Sequence, residues 1–96
     1  MLELKDTIDF MQSTDYKERF VAEYMQTKIR YERLKAFNTK IEAANTTAYE
    51  CAVKKVEMPK HDCPDELLRE QQKMMGHYLH ILEVRAVIEG IELPSA

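Results

Sequence analysis

The strongest constraint in this sequence is a stretch from residue 15 to residue 43 that contains neither glycine nor proline. Within it, apolar side chains recur every three or four residues and fall within about 100° of arc at 3.6 residues per turn. They are Tyr16, Phe20, Tyr24, Tyr31, Leu34 and Ile41. The spacing predicts a long helix, with Asn38 and Thr27 as polar breaks in its heptad seam.

The residues in front of this stretch are suited to start a helix. Ser13, Thr14 and Asp15 can each accept a hydrogen bond from a free amide, and Glu18 follows Asp15 by three positions, as in a capping box. The helix is therefore predicted to begin near residue 15.

A second long helix is predicted over residues 64–90. Pro64 suits its first position, with Cys63 or Asp62 at the cap, and Gly90 suits a left-handed end. Its central stripe is Leu68, Met75, Leu79, Leu82 and Ala86, widened on one side by Leu67, Met74, Tyr78, Ile81 and Ile88.

The remaining segments are less regular. Residues 1–12 form an N-terminal arm that reads as a short helix, because Leu4, Ile8 and Met11 share a face. The connector, residues 44–63, fits a short helix or a strand, and a helix is favoured because a single strand would have no partner.

The predicted fold is all-α: the arm, then a single domain over residues 13–96 built as an antiparallel hairpin of two long helices. Rods over 15–43 and 64–90 would measure about 43 and 40 Å. Ala22, Met25, Ile29 and Ala36 add an apolar strip to the other side of the first helix. We expect a homo-oligomeric bundle to cover the surface that one hairpin leaves open.

Composition excludes several classes of function. The chain has 96 residues, with 14 basic and 17 acidic side chains and a net charge of −3. Glycine occurs only at positions 76 and 90, so no glycine-rich phosphate loop can form, and no nucleophile lies beside a base. We predict a protein that is not an enzyme, has no cofactor and does not bind duplex nucleic acid. No secretory leader or membrane span is predicted, so we expect a cytoplasmic protein with reduced cysteines.

Two histidine-containing groups consist of residue types that bind metals. His77, His80 and Glu83 spread over about 240° of one helix, which disfavours chelation. The spacing of Cys51, His61 and Cys63 matches no zinc-finger pattern, so no metal is predicted.

Basic residues concentrate in the first helix. Residues 28–40 contain Lys28, Arg30, Arg33, Lys35 and Lys40 against Glu32 alone. One interpretation is a solvated face that pairs with acidic residues of the second helix. The other is a site for phosphate or another anion, with Lys28, Arg30 and Arg33 as candidate ligand-binding residues.

Arg85 lies on the wide apolar face of the second helix, in line with Tyr78 and Gln71 at steps of seven. One interpretation is an ion pair with Glu23, Glu32 or Glu42 of the first helix. The other is that Gln71, Tyr78 and Arg85 line a cavity between subunits, where arginine binds phosphate and tyrosine stacks on a base.

Two parts of this sequence resemble the sequences of small helical proteins of tailed bacteriophages and prophages. One is the run from Asp15 to Arg19 that opens the first helix. The other comprises residues 64–71 and 75–85, of which the part from Leu67 to Arg85 is the most recognisable. The resemblance spans about residues 15–43 and 62–93.

The resemblance implies a phage accessory protein acting in the cytoplasm of the bacterial host against its immunity. Such proteins either trap cyclic or ADP-ribose-derived nucleotide signals at subunit interfaces or inhibit a defence effector directly, as anti-CRISPR proteins do. Sequestration of a nucleotide is the first hypothesis. Inhibition of a host defence protein is the alternative, followed by a structural or regulatory phage protein without a ligand.

Overall fold

The computed structural model describes residues 3–48 and 56–94, and regular structure in these two ranges is entirely helical, as predicted. A 3-10 helix, Leu4–Thr7, leads into α1, Ile8–Met11, and the long helices are α2, Tyr16–Thr47, and α3, Asp65–Glu89. The predicted connector helix falls largely on residues 49–55, outside the described residues. Residues 56–64 contain no helix.

Helix α2 begins where the capping residues predict. Asp15 has extended backbone angles, and its carboxylate accepts a hydrogen bond from the Lys17 amide at 2.9 Å. It thereby satisfies one of the four amides that the first turn leaves without a helical partner. The amide that it binds is that of Lys17 and not that of Glu18, which a capping box would use.

The predicted end of α2 near residue 43 is wrong, because the helix continues to Thr47. Thr46 and Thr47 donate their hydroxyls to the carbonyls of Glu42 and Ala43, at 2.8 and 2.9 Å, and Ala44 is buried. These contacts favour one more helical turn. The two rods are therefore unequal, with 32 residues in α2 and 25 in α3.

The start of α3 differs from the prediction by one residue. Pro64 is the N-cap and not the first helical residue, because its ψ of 140° is not helical. Its carbonyl oxygen accepts hydrogen bonds from the amides of Leu67 and Leu68 at 3.1 and 3.2 Å. At the other end Gly90 has the predicted left-handed conformation, with a φ of 68°.

The core of the molecule lies between α2 and α3. Phe20 and Tyr24 pack with Leu79, Leu82 and Ala86, all less than 8 % exposed. Hydrogen bonds extend this contact along both helices. They join Tyr16 to Glu89, Tyr24 to Glu83, Asn38 to Gln72 and Asn45 to Asp65. The start of α2 thus contacts the end of α3, and the end of α2 contacts the start of α3.

The N-terminal arm packs on a different face of α2. Thr7 is 1 % exposed, and its hydroxyl accepts a hydrogen bond from Gln26 Nε2 at 2.8 Å. Ala22 and Met25, which share that face with Gln26, are buried in the single chain. The arm therefore covers the first part of the apolar strip on this side of α2, whereas Ile29 is half-buried and Ala36 is exposed. The oligomeric bundle itself stays a prediction.

In residues 3–48 and 56–94, no helix combines the length and the hydropathy that crossing a bilayer requires.

A basic groove as the candidate functional site

A groove with a volume of about 380 Å³ runs along one side of the contact between α2 and α3. Binding sites for small molecules usually measure 300–1,000 Å³. Its lining residues come from both helices: Tyr31, Lys35, Asn38, Thr39, Glu42, Arg69, Gln72, Lys73 and Gly76. We call this set the α2–α3 groove.

The charge of the α2–α3 groove is positive. Lys35, Arg69 and Lys73 are exposed, and Glu42 is the acidic member of the set. None of the three basic side chains forms a salt bridge or hydrogen bond with the described residues. They are thus available to an anion, and guanidinium and ammonium groups are the usual protein ligands of phosphate.

Tyr31 supplies an aromatic surface at one end of the groove, next to Gly76 of α3. A Cβ atom at Gly76 would lie 3.3 Å from Tyr31 Cε1, closer than ordinary packing allows. Glycine in the middle of a helix costs about 1 kcal/mol relative to alanine. Its presence here is explained by the close approach of the tyrosine ring.

The floor of the groove carries amide groups. Asn38 is 8 % exposed and donates Nδ2 to the Leu68 carbonyl at 3.1 Å and to Gln72 Oε1 at 2.8 Å. Its Oδ1 is buried and has no hydrogen-bond partner among the described residues. An unpaired buried acceptor costs about 1–3 kcal/mol. Asn38, a polar break in the predicted seam, is therefore where the two helices meet through hydrogen bonds.

The structure places Lys28 near the groove, and it places Arg30 and Arg33, the other two predicted ligand-binding residues of α2, away from it. Lys28 Nζ lies 3.5 Å from Tyr24 Oη and 5.7 Å from the centroid of that ring, one turn before Tyr31. Arg30 and Arg33 are exposed and, at about 100° per residue, lie on other sides of α2. In the described residues no salt bridge joins the basic segment to acidic residues of α3.

Arg85 lies on the opposite flank of the helix pair, in a network that links the ends of α2 and α3. Its Nε contacts Glu89 Oε2 at 3.1 Å, and its Nη2 donates to Tyr16 Oη at 3.0 Å. The guanidinium lies 4.8 Å from the centroid of Phe20. Arg85 therefore has an ionic partner, as one interpretation predicted, but the expected partners Glu23, Glu32 and Glu42 are wrong. The partner is Glu89 of the same helix, one turn away.

Tyr78 and Gln71 also lie away from the groove. Tyr78 is 40 % exposed and donates its hydroxyl to Glu23 Oε1 at 2.6 Å, which raises the pKa of the tyrosine. Gln71 is exposed on the same side of α3. The structure thus keeps Gln71, Tyr78 and Arg85 on one face but does not bring them together with Lys28, Arg30 and Arg33. Their role as ligand contacts stays a prediction.

Two more tyrosines tie α2 to α3 through carboxylates. Burial and a 2.8 Å hydrogen bond to Glu83 raise the pKa of Tyr24 to about 12. The hydrogen bond to Glu89 raises the pKa of Tyr16 and lowers the pKa of that carboxyl. These tyrosines are therefore neutral donors that hold the helix pair together.

Sequence reasoning did not find the α3 half of the groove. Arg69, Gln72, Lys73 and Gly76 belong to the polar side of the predicted helix, where charged residues are ordinary. The sequence did indicate that these four residues share one face of α3, at steps of three and four, and that α2 has a basic segment that could lie opposite. That signal depends on the register between the helices, which the sequence does not supply.

The group of His77, His80 and Glu83 does not form a metal site in the structure. Within residues 3–48 and 56–94, no three side chains of His, Cys, Asp and Glu are grouped to hold an ion. Cys51 lies outside the described residues. His61 instead contacts Asp65 Oδ1 through Nε2 at 2.6 Å and the Pro59 carbonyl through Nδ1 at 2.8 Å.

Residues 14–88 match the family model described as Sequestin. The chain belongs to the Sequestin family. The match includes every residue of the α2–α3 groove, and the family name denotes sequestration, in agreement with the sequestering role predicted from the sequence. No match was found among curated proteins or among solved structures.

Proposed function

We propose that this protein sequesters a nucleotide-type signal of host immunity during phage infection and that it holds the signal in the α2–α3 groove. The observation that carries the proposal is a set of three basic side chains, without ionic partners among the described residues, beside an aromatic ring and an amide floor. Membership of the Sequestin family supports the sequestering role. The phage setting rests on the resemblance of the sequence.

Each part of the groove matches one part of a nucleotide. Lys35, Arg69 and Lys73 would bind phosphate oxygens, and Tyr31 would offer its ring to a base or ribose. Gln72 carries an amide that can bind the polar edge of a base, and Asn38 holds this amide in place through its Nδ2. Cyclic and ADP-ribose-derived nucleotides combine these three kinds of group in one molecule.

The proposal moves the ligand from a subunit interface into a single chain. The sequence suggested a cavity between subunits lined by Gln71, Tyr78 and Arg85. In the structure, Tyr78 and Arg85 already bind Glu23 and Glu89, whereas the basic residues of the groove have no such partners among the described residues. A bound anion gains more from an unpaired cation than from one that is already paired.

Sequestration requires that the ligand leave the protein unchanged. The groove lining contains no histidine or cysteine, and Glu42 is its one carboxylate. We therefore propose binding without chemistry. A ligand released by denaturing the complex should have the same mass and chromatographic retention as the ligand that was added.

The first experiment is a thermal melt with a panel of cyclic nucleotides and ADP-ribose derivatives. A ligand at 100 times its Kd stabilises the native state by about 2.7 kcal/mol. Binding of that ligand to Arg69→Glu and Lys73→Glu should be weaker by about tenfold or more, since each variant replaces a charge-assisted contact with repulsion.

Lys40→Glu is the matched control, because it makes the same change of charge at an exposed position of α2 outside the groove. Its Kd should stay close to that of the native protein. Equal losses in all three variants would indicate general electrostatics and contradict a site in the groove. Loss of binding in a folded Arg85→Ala variant, with binding retained in Arg69→Glu, would move the site to the opposite flank. Unchanged melts with every compound would contradict nucleotide sequestration.

A further inference from the structure

The side-chain amide of Gln72 has a fixed direction in the floor of the α2–α3 groove. Asn38 is 8 % exposed, and its Nδ2 donates to the Leu68 carbonyl at 3.1 Å and to Gln72 Oε1 at 2.8 Å. The Leu68 carbonyl belongs to the backbone of α3 and can only accept a hydrogen bond. The direction of both side-chain amides therefore follows from this one backbone group.

The reverse directions of the two amides are unfavourable. Turning the Asn38 amide over would place its Oδ1 against the Leu68 carbonyl, so that two acceptors would face each other. Turning the Gln72 amide over would place its NH2 group against Asn38 Nδ2, so that two donors would meet. In the observed direction Asn38 Oδ1 is buried and has no partner among the described residues. A buried acceptor without a partner needs an explanation, and the Leu68 carbonyl supplies one.

The nitrogen of the Gln72 amide remains as a donor beside the aromatic end of the groove. Gln72 Nε2 has no hydrogen-bond partner among the described residues, because Oε1 is the atom that Asn38 binds. Gln72 is half-buried and lines the groove one helical turn before Gly76, where the Tyr31 ring lies close to the backbone of α3. A donor of fixed direction thus lies within about one helical turn of the ring.

We propose that Gln72 determines which base the groove accepts, as a fixed donor to a ring nitrogen or carbonyl oxygen of that base, and that Asn38 is its positioning residue. This inference rests on the proposed function. The cations of the groove bind phosphate, so the neutral donor beside Tyr31 is left for the edge of the stacked base. A base that turned an amino group toward Gln72 would leave two donors unpaired, which lowers affinity.

The first test needs no nucleotide. Exchange of the side-chain amide protons, measured by NMR on the full chain, should be slow for Asn38, whose amide is buried and bonded, and faster for Gln72. Asn38→Leu keeps a side chain of similar size and removes the unpaired acceptor, so the variant should fold with a Tm no lower than the native one. Exchange at Asn38 that is as fast as at Gln72 would overturn the proposal.

The second test uses ADP-ribose and cyclic dinucleotides of adenine and guanine. Each is compared with forms that lack one acceptor of the base: 1-deaza, 3-deaza and 7-deaza forms and, for guanine, a form without O6. One altered form should bind the native protein about five- to tenfold more weakly than its parent, because it lacks the acceptor that Gln72 binds. In Gln72→Met the parent and this form should have equal Kd values. In Asn38→Leu the difference should be smaller than in the native protein, because the Gln72 amide can turn.

Gln71→Met is the matched control, because Gln71 is exposed on α3 and does not line the groove. This variant should keep the native difference between the parent and the altered form. If the native protein binds a parent compound and all of its altered forms equally well, the inference fails and the proposed function stands. A difference that persists in Gln72→Met would assign the contact to another donor and overturn the inference. Failure of the native protein to bind any parent compound would contradict the proposed function and the inference together.

Discussion

Single residues in this protein work mainly by joining neighbouring segments of the fold. His61 is the clearest case, because its two ring nitrogens face the Pro59 carbonyl and the Asp65 carboxylate, while its ring packs edge-on against Phe37 of α2 at 5.7 Å. It thus fixes the residues before α3 to both long helices. The acceptors at both nitrogens favour the imidazolium form.

This contact makes stability depend on pH. The Pro59 carbonyl and Asp65 raise the pKa of His61, and His61 lowers the pKa of Asp65. The His61 contribution is complete below about pH 6.5, the unfolded value, and is lost as pH rises through the raised folded pKa. The Asp65 contribution is present above about pH 3.9 and is lost as pH falls through the lowered folded pKa.

We therefore expect the greatest stabilisation by this pair between about pH 4 and 6.5. The difference in Tm between the native protein and His61→Gln should be larger at pH 5.5 than at pH 8. NMR titration should give a higher His61 pKa in the folded chain than in urea. A Tm difference that is independent of pH would contradict the account.

Leu82 carries a larger part of the stability than the ionic contacts do, because it is 1 % exposed at the centre of the core. Leu82→Ala should lower the free energy of unfolding by about 2–5 kcal/mol. Each kcal/mol corresponds to about 4–8 °C of Tm in a domain of this size. Val87→Ala is the control: its side chain is 84 % exposed, so denaturant unfolding should show a change within about 0.5 kcal/mol.

At the level of elements, local chemistry predicts where helices start and end better than it predicts what covers them. Asp15 and Gly90 act at the caps as expected, since capping depends on one residue and its nearest amides or carbonyls. Pro64 is the N-cap and not the predicted first helical residue, because a proline can cap a helix as well as begin it. The extra turn of α2 depends on the threonine hydroxyls and the burial of Ala44, which local pattern alone does not indicate.

The arm offers a test at this level. Thr7→Val keeps the shape of the side chain but removes the acceptor of the Gln26 hydrogen bond and the donor to the Leu4 carbonyl. The loss of such a bond costs about 0.5–1.5 kcal/mol, and more where a partner stays buried. Hydrogen exchange should become faster in residues 4–11 before it changes in α3. Unchanged exchange in the arm would show that these bonds do not hold it on α2.

At the level of the whole molecule, the fold is long and thin. Its radius of gyration is 17.0 Å, whereas about 12.5 Å is expected for a compact domain of this length. A two-helix contact buries one side of each rod and leaves long surfaces exposed, and the α2–α3 groove lies along the edge of this contact. The sequence alone did not predict the groove, because the register between α2 and α3 decides whether Tyr31 and Lys73 line the same surface.

The central claim is that one chain holds one ligand in its own groove. Isothermal titration of the best compound from the melting panel tests it most directly, because the stoichiometry depends on where the site lies. We predict one ligand per chain in the native protein. One ligand per two chains, with binding lost when the chains separate, would contradict the groove and place the site at a subunit interface.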